Sequence, residues 1–73
     1  MDRQKILQHL ALAERHLVEG EDRLVQQQEL IAELDRDGHD TKQARVVLAT
    51  MQVTQALHYQ DRELILTELG QSS

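Results

Sequence analysis

From Asp2 to Arg36 one register repeats in steps of four and three: Ile6, Leu10, Ala13, Leu17, Gly20, Leu24, Gln27, Ile31 and Leu34. Only Gly20 and Gln27 interrupt its apolar character. An α-helix brings such positions onto one stripe, and a stripe this narrow suits a seam against one partner helix. The intervening residues are mostly Leu, Ala, Glu, Gln, Arg and Lys, all good helix formers. No proline occurs anywhere in the chain. The pattern predicts one continuous helix over about 2–36, a rod of roughly 50 Å at about 1.5 Å per residue.

Gly20 is the one position that could divide it. Glycine costs about 1 kcal/mol relative to alanine inside a helix. On the seam it would let a partner backbone come close. A break there would instead give a three-helix bundle, but no good N-cap precedes Glu21 and the seam keeps its phase across the glycine.

A second helix is predicted over about 41–69, with Gly70 as its C′ residue and 70–73 as a frayed tail. Its inner face carries Ala44, Val47, Leu48, Met51, Ile65 and Leu69, with Gln55, His58 and Arg62 among them. A second apolar stripe, Val46, Val53, Leu57 and Leu64, lies roughly opposite at 100° per residue. The expectation is an all-α antiparallel hairpin forming a single domain over 1–73. Its seam would be led by Leu10, Leu17, Leu24 and Ile31 from one helix and Met51, His58 and Ile65 from the other. Counting evenly from a turn at residue 39, positions summing to about 78 should lie level, placing His58 near Gly20, Gln27 near Met51 and Ala13 near Ile65.

A lone hairpin covers one side of each helix. The outer stripe of the second helix, and Val18 and Val25 on the first, therefore call for another surface. The expected solution is a homodimer that completes a four-helix bundle.

The segment joining the helices, ELDRDGHDTKQA at 33–44, looks at first like a calcium loop. Such a loop needs Asp-x-Asp/Asn-x-Asp/Asn-Gly and a glutamate at its twelfth position. Counted from Asp35, His39 takes the third ligand position, Asp40 the glycine position and Val46 the twelfth. The calcium reading fails. A turn fits better: Gly38 ends the first helix in the left-handed region, Asp40 N-caps the second, and Gln43 stands where a capping box would close.

No chemistry-bearing constellation emerges. With no cysteine there is no disulfide, thiolate metal site or cysteine nucleophile. Of the four histidines, His9 and His16 lie seven residues apart, about 10 Å along a helix, too far to chelate one metal by themselves. None follows a glutamate by three positions, as di-iron bundles require. No hydroxyl side chain is flanked by a histidine–carboxylate pair. Neither an enzyme nor a metal or cofactor site is expected. Nucleic-acid binding is disfavoured by the net charge of −5, the absence of a basic block and the presence of one aromatic, Tyr59. No apolar run is long enough to span a bilayer, and a cytoplasmic location is expected.

The stretches ERHLVEGEDRLVQQQELIAELDRDGHDTKQA and LATMQVTQALHYQDRELI resemble a group of short, uncharacterised bacterial helical-hairpin proteins whose most distinctive part is the DGHDT turn. The resemblance spans nearly the whole chain and implies architecture, with no activity attached. Two functions follow as expectations. One is a non-enzymatic interaction or scaffold module that self-associates through helix faces and engages an unidentified protein partner. The other is an acidic decoy, with Glu14, Glu19, Glu21, Asp22, Glu29 and Glu33 occupying a basic surface of a nucleic-acid-processing enzyme.

Overall fold

A computed structural model describes residues 2–71. Helix α1 spans Arg3–Arg36 and helix α2 spans Lys42–Gln71, packed against each other as an antiparallel hairpin. Its principal extents are 56 × 14 × 12 Å. α1 runs through Gly20 without interruption, so the three-helix alternative is not realised. Asp2 opens α1 from an extended conformation, and its carboxylate accepts the Gln4 amide at 3.0 Å.

The four–three register explains the packing. Every seam position of α1 from Ile6 to Leu34 is at least partly buried, and every other α1 position is exposed. Thr41, Ala44, Leu48, Met51, Gln55, His58, Arg62, Ile65 and Leu69 form the matching seam of α2, with Leu66 half-buried beside it. Val47, grouped with this face by the sequence, is exposed.

At the turn Gly38 has φ of 74°, a conformation costly for residues bearing a Cβ. The His39 amide donates to the Leu34 carbonyl and the Gly38 amide to that of Asp35, closing the end of α1. The Asp40 carboxylate accepts the Lys42 amide at 3.0 Å. Thr41 supplies the first carbonyl of α2, to the Arg45 amide, and its hydroxyl accepts from Arg45 Nε. The cap is therefore shared between Asp40 and Thr41. No bond from the Gln43 side chain closes a box among the described residues. Replacing Asp40 with alanine should cost about 1 kcal/mol in chemical denaturation, and added calcium should leave the midpoint unmoved.

Two boundaries differ from the sequence reading. α2 begins at Lys42, and it continues through Gly70 to Gln71 instead of ending at a glycine C′ residue. Residues 72 and 73 of the expected frayed tail lie outside the described residues.

The pairing register is also shifted. Arg62 approaches Glu14, Gln55 bonds Glu21, and His58 faces His16, so level positions sum to about 75. Gln55, not His58, stands opposite Gly20, and Gln27 reaches the Ala44 carbonyl instead of Met51. A helical residue advances about 1.5 Å. The irregular residues of the turn do not, so an even count through His39 misplaces α2 by about three residues.

Candidate functional site

The middle of the hairpin is held by a polar clamp. Gln55 is 6% exposed, and its Nε2 donates to the Leu17 carbonyl at 2.8 Å and to Glu21 Oε2 at 3.1 Å. Its Oε1 is buried without a conventional donor and occupies the space where a Gly20 Cβ would stand. The glycine Cα–H therefore faces that oxygen, a weak donor meeting an acceptor that has no stronger partner. One turn away, the His58 ring stacks beside His16 with centroids 5.4 Å apart and planes tilted by 30°. Sequence reasoning placed Gln55 and His58 among the inner residues of α2 and missed both pairings, which depend on the register.

These polar groups do not assemble a metal centre. Among the described residues no three histidine, aspartate or glutamate side chains are placed to share an ion. No described helix is long and apolar enough to cross a membrane.

The outer surface is distinctive for a chain this size. Val46, Val53, Leu57 and Leu64 are between 57% and 64% exposed, while among the described residues only Ile6, Ala13 and Ile31 form the buried apolar core. Leu7, Leu12, Val18, Val25 and Leu30 of α1 are exposed as well. Single exposed apolar residues are ordinary, whereas Val46, Val53, Leu57 and Leu64 recur along one side of α2.

Two shallow grooves lie on one side of the hairpin. Towards the open end, His9, Leu12 and His16 face Asp61, Leu64 and Glu68 across about 310 Å³. Nearer the turn, Gly20 and Arg23 face Val46, Val47, Thr50 and Thr54 across about 320 Å³, with Gln55 and His58 at the floor. His9, His16 and Arg23 are spaced by seven on α1, as are Val47, Thr54, Asp61 and Glu68 on α2. Both grooves therefore belong to one continuous face. The signal was present in the sequence, but it is visible only once the inner seam is known and can be subtracted.

Acidic residues do not form an uninterrupted field. Glu19 pairs with Arg15 at 3.3 Å and Glu14 lies 3.7 Å from Arg62. No family model, curated protein or solved structure matches the chain.

Proposed function

We propose that this protein is a non-enzymatic interaction module, a helical hairpin that self-associates through its outer apolar face and presents the assembled helices to a protein partner. One observation carries the reading: Val46, Val53, Leu57 and Leu64 recur at steps of seven, four and seven along one side of α2, and all four are exposed. Burying such side chains is worth about 1.5–3 kcal/mol each. A hairpin whose own core has few fully buried side chains has most to gain from a second copy. A cytoplasmic setting fits a chain with no cysteine.

The decoy reading is weaker. Arginines stand among the carboxylates, and Arg15 and Arg62 neutralise part of the acidic surface. Salt separates the two. An electrostatic complex with a basic partner should dissociate between about 50 and 200 mM salt, whereas apolar association should persist.

Leu57→Glu combined with Leu64→Glu provides the direct test. Both side chains are exposed in the hairpin, so the helices should still form while the surface acquires charge. Sedimentation equilibrium should find the parent chain self-associated and the variant shifted to monomer. A parent chain that stays monomeric and folded at micromolar concentration would overturn the proposal.

A further inference from the structure

We infer that the two grooves are complementary halves of one interface, and that a second copy docks antiparallel on this face with the two turns at opposite ends. This rests on the self-association proposed above and specifies its geometry.

A row advancing by alternate steps of four and three reads the same in both directions, so it can meet its own reverse about a twofold axis. On α1 the groove side carries Lys5, His9, Leu12, His16, Glu19, Arg23, Gln26, Leu30 and Glu33, with Asp37 just past the end of the helix. Reversed about position 21, Glu19 meets Arg23 of the partner subunit and Leu12 meets Leu30 of the partner subunit. The same reversal sets His9 against Glu33 of the partner subunit and Lys5 against Asp37 of the partner subunit. These pairs set carboxylate against cation or imidazole and leucine against leucine, and the remaining pair, His16 with Gln26 of the partner subunit, is polar on both sides.

α2 gives the same answer independently. Its groove side carries Val47, Thr50, Thr54, Leu57, Asp61 and Leu64. Reversed between positions 55 and 56, Val47 meets Leu64 of the partner subunit. Thr50, a hydroxyl donor, meets Asp61 of the partner subunit, a carboxylate acceptor, and the Thr54 methyl meets Leu57 of the partner subunit. The two centres of reversal lie near 21 on α1 and between 55 and 56 on α2. In the hairpin these residues lie level, since Gln55 Nε2 donates to Glu21 Oε2 at 3.1 Å. One axis therefore satisfies both helices. Each copy's open-end groove then lies over the turn-side groove of the other.

The competing twofold arrangement, with both turns at one end, packs α1 on α2 of the second copy. It sets Glu19 against Leu57 of the partner subunit, and Arg23 against the Val53–Thr54 region of the partner subunit. Leu12 would still meet Leu64 of the partner subunit and His9 would approach Glu68 of the partner subunit, but Glu19 and Arg23 would be desolvated without a counter-charge. Electrostatic matching selects the opposite-ended form.

The chain has no cysteine, so a single one can carry a spin label. His39→Cys places it in the exposed turn. With turns at opposite ends, pulsed electron–electron distance measurement should give a separation comparable to the 56 Å hairpin length. With turns together, labels on neighbouring helices of about 10 Å diameter should sit within roughly 25 Å. The long distance supports the inference. A short distance overturns this orientation while leaving self-association intact, and a labelled chain that sediments as a monomer overturns both. As a second reading, Thr54→Cys lies close to the axis and should form an intermolecular disulfide under mild oxidation. Failure to do so in a chain that sediments as a dimer also counts against the inference.

Discussion

Replacing Gly20 with valine is expected to lower stability by about 2–4 kcal/mol, measured by chemical denaturation at fixed protein concentration. A Cβ at residue 20 would come within 2.8 Å of Gln55 Cδ and closer still to its Oε1. The amide would have to leave its site, losing the bonds to the Leu17 carbonyl and to Glu21. The Leu17 carbonyl already accepts within the helix, so the main loss is the ordered, buried Gln55 amide. β-Branching adds bulk at the closest approach of the two helices. Alanine at the same position gives a sharper test. By helix propensity alone it should stabilise by about 1 kcal/mol, but the same clash predicts a net loss of about 1 kcal/mol. Gly20→Ala together with Gln55→Ala removes both the added methyl's obstacle and the amide. The double variant should therefore be more stable than the sum of the single effects, a coupling read from the mutant cycle. Additive single effects would show that Gln55 and Gly20 are not in contact.

The second large effect is at Ile31. It is 7% exposed and lies in the closed half of the hairpin, where the turn holds both helices together. Truncation to alanine should cost about 2–4 kcal/mol, combining lost transfer energy with the cavity left behind. Ile6 is more buried, at 1%, yet it sits at the open end beside the chain termini. No turn joins the helices at that end, so a local opening there exposes the side chain at less than the cost of global unfolding. Ile6→Ala should therefore cost less than Ile31→Ala, reversing the order that exposure alone would give. Thermal melts of the two variants at matched concentration decide the ranking.

These predictions show which features were legible in the sequence. The seam of α1 could be read residue by residue, because the 3.6-residue repeat of a helix forces a four–three row onto one side. The turn could also be read, since Gly38 and Asp40 act through their own local backbone conformation and hydrogen bonding. At the far end of α2 the local rule was weaker. Gly70 has the residue type of a helix stop, yet α2 continues beyond it to Gln71.

The sequence by itself determined that there would be two long helices, where they would turn and, apart from Val47 on α2, which stripe of each would face inward. All of these follow from interactions within a few residues along the chain. Only the tertiary structure decided what stands opposite what. It placed the Gln55 amide against Gly20, set His58 beside His16, and gathered two separate heptad rows into one face. The physical reason is that register depends on the path of the few non-helical residues at the turn and on side-chain fit across the seam. A shift of three residues leaves the helical pattern nearly unchanged but gives every polar group a different partner.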